Sequence, residues 1–192
     1  ADIMSISQLV VTLVRNKDYA LAEKVALEGM RRNKDGNEFY DKMTCQDILG
    51  QVLGVVFAMT GAYAKASEWY LSAALAGSTR LGDKAHNENV WLKASTLQFP
   101  REHFIPNLAK NTLLEALRFH PLNPVLVYNM GVATHLEDKD IESAAKLYQQ
   151  ALELDAEALR EAESSEKGVA ASAITSIPDA WASLGTALFA MG

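Results

Sequence analysis

Apolar residues recur along this chain at the spacing of one face of an α-helix. The first stripe consists of Leu9, Val10, Leu13 and Val14. The second consists of Ala22, Val25, Ala26 and Met30. Polar residues 15–18 separate the two stripes. Apolar residues three and four positions apart share one helix face, so the pattern predicts a helix, a tight turn and a second helix.

The same unit returns twice further along the chain. An apolar run at 48–59 is followed by the turn Thr60-Gly61 and by a predicted helix from Tyr63 to about Ala76. Later, the run 125–136 is followed by a polar turn at 137–140 and a predicted helix at 141–160. Three helical hairpins with one internal layout indicate a repeat and an all-α fold class.

Small residues at matching places explain how such hairpins would pack. Gly54, Gly131 and Gly185 lie mid-helix, where glycine costs about 1 kcal/mol relative to alanine. Close approach of a neighbouring helix is the expected reason for each of them. The second helices carry an alanine, an aromatic residue and another alanine on one face, at Ala66, Tyr70 and Ala73 and at Ala144, Tyr148 and Ala151. Such small-large-small faces interdigitate at a short interaxial distance.

These residues resemble the tetratricopeptide repeat family. The clearest copy has Leu53, Gly54, Phe57, Gly61, Tyr63, Ala66, Tyr70 and Ala73 at the family's spacing. A second copy, with one extra residue in its turn, has Met130, Gly131, Ala144, Leu147, Tyr148, Ala151 and Leu152. Weaker copies are carried by Leu9, Leu13, Tyr19 and Ala22, by Ala109, Leu113, Ala116 and Pro121, and by Pro178, Trp181, Leu184, Gly185 and Leu188.

The resemblance implies one helical-repeat domain over 1–192, an α-solenoid wound as a right-handed superhelix. Its approximate repeats are 3–36, 47–80, 87–123 and 124–158, with a half repeat at 178–192. The alanines Ala22, Ala66 and Ala109 lie about 44 residues apart, against about 34 in the family. We therefore expect longer helices or longer loops, including a loop at 99–106 and an insertion between 155 and 177.

Composition limits the classes of partner and compartment. The chain has 192 residues, a net charge of −6 and one cysteine. No basic cluster is present to neutralise phosphates, which argues against nucleic acid as a partner. The longest apolar stretches, 3–14 and 180–191, are shorter than the roughly twenty residues of a membrane span. A lone cysteine cannot form an intrachain disulfide, so we expect the cytoplasm or another reducing intracellular compartment.

Nothing in the sequence predicts an enzyme. Cys45 has no histidine near it in sequence and no family signature, so we interpret it as a structural thiol. The histidines, at positions 86, 103, 120 and 135, lack metal-binding spacing and are also interpreted as structural. No glycine-rich phosphate loop occurs. We expect no catalytic residue, no metal and no cofactor.

An acidic stretch at 153–166 leaves two interpretations open. It holds six carboxylates and one arginine. One interpretation is a solvated helix face followed by an exposed loop. The other is a docking surface for a basic partner segment, whose binding would weaken as salt rises.

The resemblance also implies a function, that of a scaffold or adaptor whose first helices line a concave groove for a peptide or partner helix. Groove positions carried over from the family are Gln51, Val55, Met59, Tyr128, Asn129, Val132, His135, Thr186 and Phe189. The basic clamp by which some members hold acidic chaperone tails is missing, because Ser7 and Val11 stand at two of its places. An apolar or amphipathic protein segment is the expected partner.

Two further hypotheses stay open. The chain can instead be a structural helical spacer, with its groove filled by its own residues. The apolar terminal helices, at 3–14 and 181–191, also predict self-association or packing against further repeats, because the ends of a repeat stack normally carry polar faces.

Overall fold

The structure is a computed structural model that describes residues 2–36, 40–81, 87–98, 108–164 and 180–191. Within these ranges the chain forms helices and no β-strand, which confirms the all-α prediction. The predicted loop at 99–106 and most of the predicted insertion at 155–177 lie outside the described residues, as do His86 and His103. In the described ranges, no helix is both long enough and apolar enough to cross a membrane.

Nine α-helices follow one another along the described ranges. They are α1 (Ile3–Arg15), α2 (Tyr19–Arg32), α3 (Lys42–Met59), α4 (Tyr63–Leu81), α5 (Glu88–Thr96), α6 (Leu108–Phe119), α7 (Pro124–Ala133), α8 (Ile141–Ser164) and α9 (Ala180–Ala190). The predicted lengthening is visible in α3 and α4, which have 18 and 19 residues.

Short polar side chains start several of these helices. The Asp18 carboxylate accepts a hydrogen bond from the Leu21 amide at 3.3 Å, and the Asp41 carboxylate accepts one from the Thr44 amide at 2.7 Å. Asn123 caps α7 by accepting from the Leu126 amide at 3.0 Å. Each cap satisfies an amide that has no partner inside its helix, which places the helix start at the following residue.

The first of two compact units spans residues 1–112. Here α1 packs on α2 and α3, α3 packs on α4, and α4 packs on α5, so each helix contacts its neighbour in sequence. Val10, Leu49, Leu53 and Trp91 are fully buried in this unit. The order of contacts is that of consecutive helical hairpins.

Helices α3 and α4 approach closely at Gly54 and Gly50. A β-carbon at Gly54 would lie 2.7 Å from ring atoms of Tyr70, and one at Gly50 would lie 3.0 Å from the Ala73 β-carbon. The missing side chains let the two helices approach, as the mid-helix glycine and the alanine-aromatic-alanine face predict.

The second unit spans residues 113–192. Here α7 packs on α8, and α8 packs on α9. A β-carbon at Gly131 would lie 2.6 Å from the Tyr148 ring, which repeats the arrangement of the first unit. At Gly185, by contrast, no described atom lies within 4 Å of the β-carbon position. The expected close approach of another helix is therefore absent there among the described residues.

The turn between α7 and α8 differs from its prediction. We expected the first helix to run to residue 136, but α7 ends at Ala133 and a π-helical turn follows at Thr134–Asp138. Lys139 then has a φ of 55°. A π-helical turn has hydrogen bonds from i to i+5 and is wider than an α-helical turn, and here it takes the place of the end of the predicted helix.

Candidate functional site

A concave groove in the first unit is the candidate site. Its volume is about 350 Å³. Four helices supply its lining, and the lining residues are Val10, Val11, Val14, Arg15, Gln51, Val52, Val55, Tyr70 and Lys93. Five of these nine are valines, so the wall is mainly aliphatic.

Helices α1 and α3 present the same spacing to the groove. Val10, Val11 and Val14 come from α1, and Gln51, Val52 and Val55 come from α3. In each helix the three residues lie at positions i, i+1 and i+4, which share one face. Val10 and Val52 are buried, whereas Val55 is half-buried and Val11 is 40% exposed. Each helix therefore places one valine in the core and leaves another for contact in the groove.

Tyr70 connects the groove to the packing of the hairpin. Its ring is 4% exposed and lies against Gly54 on one side, while it also lines the groove. Burial raises the pKa of the Tyr70 hydroxyl above its ordinary value, so the group stays neutral. The ring forms a rigid, uncharged part of the wall.

The polar groups around the groove fall into two sets. Gln51 donates a hydrogen bond to the Asp47 carboxylate at 2.8 Å, and Arg80 lies 3.7 Å from the same carboxylate. Asp47 is thus bound by two neighbours. Arg15 and Lys93 are exposed, and the Lys93 ammonium lies 5.6 Å from the centre of the Tyr70 ring. That distance is within the range of a cation–π interaction, which holds Lys93 beside the groove.

Metal-binding groups and the thiol can be assessed in the described ranges. No group of three or more histidine, cysteine or acidic side chains that could hold a metal ion occurs in the described ranges. Cys45 is buried, and burial together with the nearby Asp41 carboxylate raises the pKa of its thiol. A thiol with a raised pKa holds little of the reactive thiolate at neutral pH.

The structure separates the three groove positions predicted on α3. Gln51 and Val55 line the groove together. Met59 lies at the end of the helix, is 53% exposed and is outside the lining.

Two of the predicted positions on α7, Tyr128 and Val132, face the second unit's own helices. The Tyr128 hydroxyl lies 3.1 Å from the Ser183 hydroxyl of α9. Val132 packs against a cluster formed by Ala144, Ala145, Tyr148 and Ala187. Both side chains therefore help to join α7, α8 and α9.

The other predicted positions in this unit bond within their own helices, lie in the π-helical turn or are exposed. Asn129 donates to the carbonyl of Val125 on its own helix at 2.8 Å. His135 is half-buried in the π-helical turn. The Thr186 hydroxyl donates to the Ala182 carbonyl at 2.8 Å, and Phe189 is 90% exposed.

Sequence reasoning predicted two of the nine groove residues, Gln51 and Val55, and missed seven. The missed residues are Val10, Val11, Val14, Arg15, Val52, Tyr70 and Lys93. A comparison of α1 with α3 could have found the valines, because the two helices share the i, i+1, i+4 pattern. Lys93 had no such signal, since the third predicted repeat was recognised from its second helix only.

The acidic stretch at 153–166 is only partly solvated. Glu153 and Glu157 are exposed, and with Arg160 and Leu184 they border a depression of about 530 Å³. Asp155 is 7% exposed, so this side chain does not belong to the solvated helix face of the first interpretation. Residues 165 and 166 lie outside the described ranges.

No protein-family model matches the chain. No curated protein matches it either.

Proposed function

We propose that this chain is a protein–protein interaction module of the tetratricopeptide type, which acts as a scaffold or adaptor. In this proposal the hairpins continue one another as a right-handed superhelix. The groove on α1, α3 and α5 binds an apolar or amphipathic segment of a partner protein. The observation that carries the proposal is the valine wall formed by Val11, Val14 and Val55 at the mouth of the groove.

The size and lining of the groove support a peptide segment as the ligand. Its volume of about 350 Å³ is near the lower end of ligand pockets, which range over roughly 300–1,000 Å³. A space of this size takes a few aliphatic side chains. Removing aliphatic surface from water contributes about 25 cal/mol per Å², so the valine wall supplies affinity for such side chains without any specific polar contact.

A specific observation favours the structural spacer as a second candidate. In the second unit, Tyr128 and Val132 contact α8 and α9 instead of bordering a groove. If the first unit's groove is likewise filled in the assembled protein, the chain holds its neighbours at a fixed separation and binds no separate peptide.

A displayed library of random twelve-residue peptides distinguishes the two functions. The wild-type chain is compared with Val55→Asp, which places a charge in the groove, and with Met59→Asp, one helical turn later and outside the lining. The module function predicts enriched peptides for the wild type and for Met59→Asp, and their loss for Val55→Asp. Circular dichroism checks that both variants are folded. Equal enrichment for the wild type and Val55→Asp, or enrichment by none of the chains, contradicts the module function.

A further inference from the structure

The charged residues that line the groove are all cations. Arg15 enters from α1 and Lys93 from α5. The acidic side chains of the lining helices are Asp47, Glu68 and Glu88. None of the three is among the described residues that line the groove.

Neither cation forms an ion pair with a described carboxylate. Within the described ranges, basic side chains that lie within 4 Å of a carboxylate include Arg31, Arg32, Lys34, Arg80, Arg118 and Lys146. Arg15 and Lys93 make no such ion pair with any described residue. In a chain with a net charge of −6, acidic groups outnumber basic ones, yet the described lining of this groove holds two cations and no carboxylate.

We propose that the bound segment is an acidic amphipathic peptide, in which aliphatic side chains fill the valine wall and carboxylates contact Arg15 and Lys93. This inference rests on the proposed function and adds the charge of the partner to it. The cations lie beside the aliphatic surface and not within it. The peptide therefore needs an aspartate or glutamate close to its aliphatic residues.

The two parts of the groove contribute differently to binding. Burial of aliphatic surface supplies most of the affinity. Exposed ion pairs add little affinity, but they raise the association rate and select the partner by charge. Binding of the acidic peptide therefore weakens as salt rises, whereas the aliphatic contribution does not. A nucleic acid is a poor alternative, because two cations neutralise few phosphates.

The test is selection from the same random peptide library by a charge-reversed groove. The variant is Arg15→Glu/Lys93→Glu. Its control is Lys24→Glu/Lys42→Glu, which changes the net charge equally at exposed positions of the same unit that do not line the groove. We expect the wild type and the control to select aliphatic residues beside aspartate or glutamate. We expect the charge-reversed variant to select the same aliphatic residues beside lysine or arginine.

Affinity measurements complete the test. For one selected peptide, we expect about tenfold weaker binding to Arg15→Glu/Lys93→Glu and an unchanged affinity for the control. Replacing the peptide's glutamates by glutamine should remove most of that difference. Selection of aliphatic residues with no charge preference, or a preference that the charge reversal does not change, overturns this inference and leaves the proposed function standing. If the wild type enriches no peptide above the level seen with Val55→Asp, both this inference and the proposed function are overturned.

Discussion

The ring of Tyr148 occupies the space that a β-carbon on Gly131 would need, with a ring atom 2.6 Å from that position. Tyr70 and Gly54 form the same arrangement at 2.7 Å. In both hairpins the glycine is on the first helix. The tyrosine is on the second helix, four residues after one alanine and three residues before the next. Each glycine thus lets its two helices approach closely.

Gly131→Ala should destabilise the second unit. The added methyl group forces a buried ring to move, and such overpacking costs about 1–3 kcal/mol, offset by about 1 kcal/mol of better helix propensity. We expect a net loss of up to about 2 kcal/mol in the free energy of unfolding. Urea denaturation monitored by circular dichroism measures it, and Gly54→Ala should give a similar loss in the first unit.

Gly185→Ala provides the matched control. No described atom lies within 4 Å of the added β-carbon. We therefore expect no loss of stability and a gain of up to about 1 kcal/mol from helix propensity. Equal effects of alanine at Gly131 and Gly185 would show that the tyrosine ring does not set the cost.

Ser78 should stabilise the start of α5. Its hydroxyl accepts hydrogen bonds from the Trp91 indole at 3.1 Å and from the Asn87 amide at 3.2 Å, and all three residues are buried. Ser78→Ala removes this acceptor, and we expect a loss of about 1–3 kcal/mol in the free energy of unfolding. The neighbouring variant Thr79→Ala changes an exposed side chain. It should change the free energy of unfolding by less than about 0.5 kcal/mol. Thermal or urea denaturation that finds equal losses for the two variants contradicts the assigned role.

Stability should fall at alkaline pH because of Tyr148. Burial, with a smaller contribution from Tyr128, raises the pKa of the Tyr148 hydroxyl from 10.0 to about 12 in the folded chain. A folded-state pKa above the unfolded one means that the contribution to stability is complete below about pH 10 and is lost as the pH rises towards 12. Tyr148→Phe should reduce this alkaline loss. Denaturation midpoints measured from pH 10 to pH 12, together with the ultraviolet absorbance of tyrosinate, check this prediction. An identical pH dependence of stability in the wild type and in Tyr148→Phe refutes it.

The helices and their hairpins could be predicted because their signals are local. The polar residues at 15–18 and the turn Thr60-Gly61 lie between helices, as predicted. The helices beside that turn are longer than predicted, since α3 begins at Lys42 instead of residue 48 and α4 ends at Leu81 instead of about Ala76. The π-helical turn at Thr134–Asp138 could not be predicted, since helical periodicity does not show how a helix accommodates one extra residue. The tetratricopeptide resemblance and the superhelix stay predictions.

The groove could be predicted only on the helix with the clearest repeat. Gln51 and Val55 line it as the spacing of α3 implies. The position of Lys93 at the groove depends on where α5 packs against α4. That contact joins residues far apart in sequence, so it leaves no periodic signal. For the same reason the sequence did not show that Val132 packs against Ala187 and its neighbours.

The binding of a peptide by the groove is tested most directly by nuclear magnetic resonance of the valine methyl groups. A peptide selected by the wild-type chain is added to protein with labelled valines. Binding in the groove predicts changed chemical shifts for the methyl groups of Val11, Val14 and Val55. It predicts unchanged resonances for Val127 and Val132 in the second unit. A peptide that binds while the three groove valines keep their resonances contradicts binding in the groove.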